Sequence, residues 1–355
     1  MSEANKIVVG ITQGDFNGIG PEVIIRTLSD PMLCELCTPV VFSSQKVMNF
    51  WRKTTGLEEF NFQVVRDLDQ LNPKRANLFS FFEEDVEVEP GKPLPLAGKY
   101  AIRSVDVACE ALLNGKIDVL VTAPLDKNSV AAEIADFNGH TEYLRKKLGA
   151  ESSIMLLVNE DLRVGLVTDH VPLREVAAYI NKDRIVSRAK LMAKSLLEDF
   201  GVRKPKIAVL GLNPHAGDGG TLGKEELEII APAVAQLRSE NVLAFGPYSA
   251  DGFFGSGNYR NFDGILAMYH DQGLGPFKTL SFSGGVNFTG GMKYVRTSPD
   301  HGTGYDIAGR NEANESSFRQ AVFTAIDVFR KRNNWEEISA DPLKPQFRQK
   351  ESRER

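Results

Sequence analysis

Residues 7–28, IVVGITQGDFNGIGPEVIIRTL, contain the three parts of one α/β unit. The run 7–12 is apolar and predicts a buried strand. A loop with three glycines follows this run. The segment 21–28 has the pattern of a helix with Pro21 in its first turn, where the missing N–H of proline costs nothing. We therefore expect a buried strand here that leads through a glycine loop into a helix.

The same alternation of apolar runs and helical patterns continues along the chain. Further strands are predicted at 40–43, 117–122, 154–158, 162–168, 206–210 and 265–269. Helices are predicted at 45–54, 100–114, 141–148, 183–200, 224–240 and 316–330. Strands that alternate with helices of this length pair in parallel, so the pattern predicts a layered α/β fold. A length of 355 residues suggests two domains of roughly 150 residues each.

The composition is that of an ordinary globular protein, with 42% hydrophobic and 25% charged residues. The net charge of −5 gives no indication of a nucleic-acid partner. No run approaches the ~18 apolar residues of a membrane span, and the first residues lack the pattern of a signal peptide. We therefore expect a cytoplasmic protein without a membrane or nucleic-acid partner. Cys34 and Cys37 lack a second cysteine pair, which favours reduced thiols over a zinc site.

Three of the five histidines follow predicted strands. They are His170, His215 and His270, and in α/β enzymes the loops after strands carry the chemistry. Three imidazoles that converge from separate loops can hold a divalent metal and leave positions open for a substrate. The alternative is that some of these histidines are structural. Asp169, Asp251 and Asp271 are candidates for further ligands or for acceptors that orient an imidazole.

Two glycine-bearing loops resemble nucleotide-binding loops without matching them. Residues 13–22 lack the G-x-G-x-x-G spacing, and residues 217–224 lack the first glycine and the Ser or Thr of a P-loop. The free backbone N–H groups of such a loop can still hold the phosphates of a cofactor. Gly217, Gly219 and Gly220 are therefore candidate cofactor contacts. The alternative is a tight turn that requires positive φ.

Candidate anion contacts occupy three segments. His140 and Thr141 begin a predicted helix, whose N-terminus attracts anions, although simple capping is the alternative. Lys278 and Arg296, together with Asn287, form a positive patch in an otherwise glycine-rich and uncharged region, which indicates carboxylate or phosphate binding. Lys127 follows the strand predicted at 117–122, and it is a substrate contact, a proton shuttle or an exposed helix start. The fifth histidine, His301, is predicted to be structural or to support a metal ligand, and not to bind the metal itself.

Taken together, these motifs resemble the 4-hydroxythreonine-4-phosphate dehydrogenase (PdxA-like) family over nearly the whole chain. The matching motifs are GDFNGIGPE at 14–22, TAPLDK at 122–127, GHTEYL at 139–144, TDHVPL at 168–173, NPHAGDGG at 213–220, AMYHDQGL at 267–274 and RTSPDHGT at 296–303. The resemblance implies two α/β/α domains around a cleft, as in isocitrate and isopropylmalate dehydrogenases. We place them at 1–130 plus 295–355 and at 131–294, with most metal, substrate and dimer contacts in the second.

The resemblance also implies a reaction and its site. The reaction is oxidation of the C3 hydroxyl of 4-phosphooxy-L-threonine by NAD or NADP, followed by decarboxylation to 3-amino-2-oxopropyl phosphate, in pyridoxal 5′-phosphate biosynthesis. The implied metal ligands are His170, His215 and His270, one of them from the partner subunit of a homodimer. Zn²⁺ suits three imidazoles best, and Co²⁺, Mg²⁺ or Mn²⁺ can substitute. The substrate contacts are His140, Thr141, Lys278, Asn287 and Arg296, and the catalytic candidates are Asp251 and Lys127.

Three other functions remain open on the sequence. Related branches of the family oxidise other phosphorylated hydroxy acids, such as 4-phospho-threonate or 4-phospho-erythronate. An acyl- or phosphotransferase with the same two-domain cleft would use the glycine loops for CoA or phosphate, and it predicts no change in NAD(P)H absorbance. A non-catalytic metal- or phosphate-binding protein predicts stabilisation by a ligand without turnover.

Overall fold

The fold is built on one large mixed sheet. The computed structural model describes residues 6–134, 137, 139–281 and 284–341. Within these residues the strands are β1 (Ile7–Thr12), β2 (Cys37–Ser43), β3 (Gln63–Val65), β4 (Asn77–Ser80), β5 (Val119–Thr122), β6 (Ile154–Val158), β7 (Arg163–Leu166), β8 (Lys206–Leu210), β9 (Leu243–Tyr248), β10 (Gly264–Ala267), β11 (Val286–Gly290) and β12 (Val295–Pro299). Their order in the sheet is β3-β4-β2-β1-β5-β12-β11-β6-β7-β10-β8-β9.

The prediction of purely parallel pairing is wrong at the centre of the sheet. The pairs β12–β11, β11–β6 and β6–β7 are antiparallel, whereas both flanking blocks are parallel. For β6–β7 and β11–β12 the reason is the short connection, because a parallel pair needs a crossover of about a dozen residues. Between β6 and β7 the chain turns at Asn159, whose Oδ1 accepts hydrogen bonds from Asp161 N at 2.9 Å and Leu162 N at 2.6 Å.

The helices cover both faces of this sheet. They are α1 (Gly20–Leu28), α2 (Leu33–Leu36), α3 (Gln45–Thr54), α4 (Pro95–Leu113), α5 (Lys127–Ala131), α6 (His140–Lys147), α7 (Leu173–Tyr179), α8 (Lys182–Glu198), α9 (Ala231–Ser239), α10 (Ala250–Gly255), α11 (His270–Leu280) and α12 (Ser316–Ser339). The helix predicted at 45–54 is confirmed with its bounds, and the one predicted at 100–114 begins earlier, at Pro95. The single helix predicted at 224–240 is wrong in part, because a π-helical turn at Glu226–Ile230 precedes α9.

The cores on the two faces differ, and this difference makes room for a site. One face carries a single apolar core that runs under both halves of the sheet and contains Val121 and Val209. The opposite face carries two separate cores. One contains Leu120 and the other Ala208, the strand neighbours of those two valines. Side chains alternate between faces along a strand, so the two smaller cores share one face. The polar side chains described below lie on this face or at the adjoining strand ends.

The mixed α/β fold confirms the predicted fold class. The division into 1–130 plus 295–355 and 131–294 stays a prediction. The sheet order is compatible with it, because β1–β5 and β12 stand on one side of the β12–β11 contact and β6–β11 on the other. Cys34, Cys37 and Cys109 are free and buried. None of the helices in the described ranges is long and apolar enough to cross a membrane.

Candidate active site

Three adjacent parallel strands bring the predicted histidines to one edge of the sheet. β7, β10 and β8 are neighbours and run in the same direction, so their carboxyl ends meet at the same edge. His170 follows β7, His270 follows β10 and His215 follows β8. β9 pairs in parallel with β8, and Asp251 follows β9. Four strand ends in a row thus carry three imidazoles and a carboxylate.

Hydrogen bonds keep these loops together beyond the strands. Thr168 donates from its hydroxyl to Met268 O at 2.7 Å, which holds the segment after β7 against the segment after β10. The ring centroids of His170 and His270 are therefore 5.7 Å apart. Gln272 donates to Gly211 O at 2.6 Å and so links the start of α11 to the segment after β8. The described part of one chain contains no group of three His, Cys, Asp or Glu side chains arranged to hold a metal.

The surroundings of His170 and His270 suit metal ligands. Burial lowers the pKa of His170, and the nearby ammonium of Lys127 lowers it further. A neutral imidazole has the free lone pair that a cation needs. The ring of His270 is oriented by Asp271, whose Oδ1 lies 2.7 Å from His270 Nδ1. Burial raises the pKa of Asp169, and its Oδ1 has no hydrogen-bond partner among the described residues.

His215 lies in a backbone segment of unusual conformation. Residues 215–219 all have positive φ, including the non-glycine residues His215 (54°), Ala216 (50°) and Asp218 (44°). Such residues are disfavoured in the left-handed region unless the surroundings compensate. The buried carboxylate of Glu226 does so, because its Oε1 accepts hydrogen bonds from Leu212 N and Asn213 N, both at 2.7 Å. The sequence gives no hint of this role for Glu226.

Asp251 stands beside His215 as a charged carboxylate. A hydrogen bond from the Ser249 hydroxyl lowers the pKa of Asp251 most, and the backbone N–H of Gly252 and the charge of His215 lower it further. Asp251 is exposed, so a substrate at this edge can reach it. Its role as a catalytic residue stays a prediction.

The three candidate cofactor glycines have different surroundings. A Cβ on Gly217 would lie 2.6 Å from Glu226 Oε2 and 3.0 Å from Gly223 O, whereas a Cβ on Gly219 would meet nothing within 4 Å. Gly217 is therefore required both by packing and by its positive φ of 81°. At Gly219 there is open space beside the backbone, which a cofactor phosphate could use. At Gly220 a Cβ would meet only the side chains of Leu227, at 3.2 Å, and Lys224.

This contrast gives a stability prediction. Gly219→Ala is expected to lower the free energy of unfolding by about 1 kcal/mol, the cost of an alanine in the left-handed region. Gly217→Ala is expected to cost about 3 kcal/mol, because the methyl group also clashes with Glu226. Urea unfolding of the two variants measures the difference. Equal losses would show that Glu226 does not hold this loop, and a raised KM for the cofactor in Gly219→Ala alone would support a cofactor contact there.

Arg296 is a buried cation that is held by hydroxyl groups. It is 2% exposed, and its guanidinium donates to the hydroxyl oxygens of Thr122 at 2.6 and 3.2 Å and of Thr289 at 3.3 Å. No carboxylate in the described residues forms an ion pair with it, and burial lowers its pKa to about 10. A buried unpaired charge is costly, so the site is arranged for an anion that comes from outside.

Two further predicted substrate contacts, His140 and Asn287, each carry a buried polar atom that lacks a hydrogen-bond partner among the described residues. These atoms are His140 Nε2 and Asn287 Oδ1. Burial lowers the pKa of His140 well below its usual value, and the charge of Arg296 lowers it further. The sheet register explains the position of Asn287, since Thr289 two residues along β11 hydrogen-bonds Arg296 and both side chains face the same way.

Lys127, His140 and Thr141 line one cleft with His170. The cleft has a volume of about 1000 Å³ and is lined in addition by Arg145, Asp169, Arg184 and Arg188, among others. Gly139 makes room for the lysine, because a Cβ there would lie 3.2 Å from Lys127 Cε and 3.7 Å from its Nζ. The ammonium of Lys127 is thus adjacent to the first residues of α6.

Lys278 and His301 are not among the residues that line this cleft. Lys278 is exposed on α11, and its Nζ donates to Asp300 O at 3.3 Å, which places it beside the end of the strand that carries Arg296. His301 lies in the loop after β12, with Nδ1 at 3.0 Å from Gly302 O. Neither residue is shown to contact a substrate.

The sequence reasoning missed one wall of the cleft. Arg184 and Arg188 lie one turn apart on α8 and line it. Arg188 donates to Ser153 O, and its Nη2 lies 3.9 Å from Asp169 Oδ2. An i, i+4 pair of arginines was the available signal, but on a long helix such a pair usually marks a solvated face. Thr122 and Thr289 gave no signal, because threonine is common in strands.

The chain is similar to known proteins over most of its length. The profile of the family described as "Pyridoxal phosphate biosynthetic protein PdxA" matches residues 35–325. A protein named 4-hydroxythreonine-4-phosphate dehydrogenase from Bacteroides thetaiotaomicron is 50% identical over 98% of this chain and 96% of its own length. One from Sulfurihydrogenibium is 39% identical over 90% of this chain and 98% of its own length.

A solved structure agrees with the sequence relatives. The crystal structure of 4-hydroxythreonine-4-phosphate dehydrogenase from Klebsiella pneumoniae superposes with a TM-score of 0.78 at 32% identity, covering 92% of this chain and 100% of that one. The chain belongs to the PdxA family of pyridoxal phosphate biosynthetic proteins.

Proposed function

We propose that the protein oxidises the C3 hydroxyl of 4-phosphooxy-L-threonine with NAD or NADP, and that the product decarboxylates to 3-amino-2-oxopropyl phosphate. The observation that carries this proposal is the buried, unpaired guanidinium of Arg296 beside the unpartnered atoms of His140 and Asn287. Such a site is suited to bind an anion with several acceptor oxygens, such as a phosphate. Membership in a dehydrogenase family implies the nicotinamide cofactor.

Different residues of the chain bind different parts of the substrate and the cofactor. Arg296 and Lys278 bind the phosphate, His140 and Thr141 contact the same substrate, and Asn287 accepts a hydrogen bond from it. When the phosphate is held in place, C3 of the substrate has a defined orientation towards the cofactor. Such positioning lowers the activation free energy of the reaction. Gly219 and its neighbours in the loop after β8 contact the cofactor.

A divalent cation would bind at the edge of the sheet that carries the histidines. Imidazole ligands favour Zn²⁺ over Co²⁺, Mg²⁺ and Mn²⁺ at such a site. The observation behind this fit is the pair of adjacent rings of His170 and His270. Burial and the nearby Lys127 lower the pKa of His170, which favours the neutral form that binds a cation. His215 on the neighbouring strand end is the third ligand. When bound, the cation supplies Lewis-acid activation of the C3 hydroxyl and the nicotinamide supplies the hydride acceptor.

The two catalytic candidates, Asp251 and Lys127, carry out the proton transfers. The hydroxyl proton leaves as the C3 hydride departs, and the ionised carboxylate of Asp251 accepts it. Loss of CO₂ breaks the C1–C2 bond and leaves its electron pair in an enolate. Lys127 delivers a proton to C2 and forms the aminoketone phosphate. The lysine stands beside His170 at the cleft wall, within reach of a substrate held by Arg296 and His140.

We also propose a homodimer whose sites lie at the subunit interface. Within the described residues of one chain, three metal-ligating groups do not converge, although all three histidines stand on adjacent strand ends. A ligand from the partner subunit completes the set. Leu173 and Tyr179 on α7, directly after His170, are 74% and 41% exposed, and an apolar surface of this kind suits a subunit contact.

The test is a spectrophotometric screen of phosphorylated hydroxy acids against NAD and NADP, with and without a chelator. We expect the absorbance of the reduced cofactor to rise with 4-phosphooxy-L-threonine, and the rate to fall when the chelator is present. Turnover of 4-phospho-threonate or 4-phospho-erythronate instead would assign the chain to a related branch. No absorbance change with any hydroxy acid would overturn the proposal in favour of a transferase or a binding protein.

A further inference from the structure

The hydroxyl group of Thr122 is the main support of the Arg296 guanidinium. Thr122 is the last residue of β5, and Arg296 lies on the neighbouring strand β12. Thr122 Oγ1 accepts hydrogen bonds from Arg296 Nη2 at 2.6 Å and from Arg296 Nε at 3.2 Å. Because both nitrogens donate to the same atom, this oxygen lies at the edge of the guanidinium between Nε and Nη2. The proposed reaction gives Thr122 no role of its own.

The sheet fixes the position of Thr122. β5 pairs in parallel with β1 on one side and with β12 on the other. In the register of β5 and β12, Leu120 is opposite Arg296, so Thr122 lies two residues further along on the same face. Thr122 is 0% exposed, and a β-branched side chain has few alternative rotamers. The hydroxyl therefore cannot leave the guanidinium without disturbing the strand.

These hydrogen bonds leave a defined pair of donors for a ligand. A guanidinium has one N–H group on Nε and two on each Nη. Thr122 accepts from Nε and from one N–H of Nη2, and Thr289 Oγ1 accepts from one N–H of Nη1 at 3.3 Å. No other group in the described residues accepts a hydrogen bond from Arg296, so one N–H remains on each Nη. Two such donors match two oxygens of one phosphate.

A hydroxyl at this place holds the arginine without neutralising it. A carboxylate in the position of Thr122 would pair with the guanidinium and cancel the charge that attracts an anion. The hydroxyl oxygen accepts the same hydrogen bonds and leaves the positive charge available. The alternative is that Thr122 only satisfies a buried cation and serves the fold. The two roles predict different effects on substrate binding.

We propose that Thr122 is a positioning residue, whose hydroxyl holds the Nε edge of Arg296 and so directs the two Nη nitrogens at the phosphate of the substrate. This inference rests on the proposed function, because Thr122 acts only through the contact between Arg296 and the phosphate. Thr122 needs no contact with the substrate for this effect.

The test begins with Thr122→Val, which removes the hydroxyl and keeps the shape of the side chain. We expect the KM for 4-phosphooxy-L-threonine to rise about tenfold with kcat changed by less than about twofold, because only binding of the phosphate is weakened. Thr122→Ser keeps the acceptor oxygen, and its KM should stay within about twofold of the wild-type value. Thr122→Ala replaces Thr122→Val if the valine variant does not fold, with the same expected change in KM.

Thr297→Val is the matched control. Thr297 is the residue after Arg296 on β12, so its side chain faces the opposite side of the sheet. It is also 0% exposed, and its hydroxyl donates to Ala321 O at 2.8 Å. Removing this hydroxyl should lower the Tm and leave the KM unchanged. The control thus separates a loss of stability from a loss of position at Arg296.

A double-mutant cycle with Arg296 and a binding measurement complete the test. In an Arg296→Met background, Thr122→Val should raise the KM no further, since the group it positions is gone. Calorimetry with inorganic phosphate gives a readout that does not depend on turnover. There Thr122→Val should weaken binding about tenfold, and Thr122→Ser should not.

Three results would overturn the inference. They are a wild-type KM and phosphate affinity for Thr122→Val, a rise in KM for Thr122→Ser as large as for Thr122→Val, and an undiminished rise for Thr122→Val in the Arg296→Met background. A wild-type enzyme that binds phosphate but turns over no phosphorylated hydroxy acid would reject the proposed function instead. The phosphate affinities of the variants would then decide the role of Thr122.

Discussion

Arg296→Met is expected to raise the KM for the phosphorylated substrate by about 100-fold, since truncating one partner of a buried charge pair costs about 2–5 kcal/mol. The same change should make the ligand-free protein more stable. Burial lowers the pKa of Arg296 to about 10, so the charge on this side chain destabilises the folded state at every pH below that value. A neutral methionine removes this penalty, and the Tm of the ligand-free enzyme should rise by about 2 °C or more.

The matched control is Arg332→Met. Arg332 donates from Nε to Asp199 Oδ1 at 2.5 Å, and the side chain of Asp199 is 4% exposed. Removing this arginine leaves a buried carboxylate unpaired, so the Tm should fall while the KM stays near the wild-type value. Thermal unfolding with and without substrate, together with initial rates, separates the two variants. An unchanged KM for Arg296→Met, or a Tm that falls as in Arg332→Met, would show that Arg296 serves the fold and not the ligand.

His215→Asn is expected to reduce turnover by about 1000-fold or more, because loss of Lewis-acid activation removes several kcal/mol of transition-state stabilisation. Asparagine is the better substitution than alanine at this position. The backbone of His215 has a φ of 54°, and asparagine tolerates the left-handed region well. The variant therefore tests the imidazole and not the conformation of the loop.

His301→Asn is the control, since His301 also lies in a loop after a strand but its Nδ1 faces Gly302 O. We expect it to keep most of its turnover and its metal content. Elemental analysis of both variants and of the parent enzyme shows whether His215→Asn loses bound metal. Near-normal turnover of His215→Asn in a preparation with verified metal content would reject its role as a ligand.

Regular elements with a strong pattern were predictable from the sequence. The strand at Ile154–Val158 is a continuous apolar run, and α3 combines a helical period with Ser44, whose side chain accepts a hydrogen bond from Val47 N. Both are local signals, so no knowledge of the rest of the chain was needed. The same holds for β1 and α1, where Pro21 marks the beginning of the helix.

Elements whose identity depends on their neighbours were not predictable in this way. The short strands β11 and β12 carry Asn287 and Arg296 at positions where a strand pattern would have apolar residues. Their polar side chains face the gap between two cores, which is visible only once the sheet has formed. The antiparallel centre has the same origin, because a turn such as the one at Asn159 sets strand direction and the apolar runs do not.

The sequence by itself determined the fold class, the family motifs and the positions of the histidines after strands. Each of these depends only on residues that are close together along the chain. Only the tertiary structure decided that β7, β10 and β8 are neighbours, which places His170 against His270 and His215 on the next strand end. It also decided that Arg296 is buried and, within the described part of the chain, forms no ion pair with a carboxylate, since burial and charge pairing depend on groups far away in sequence.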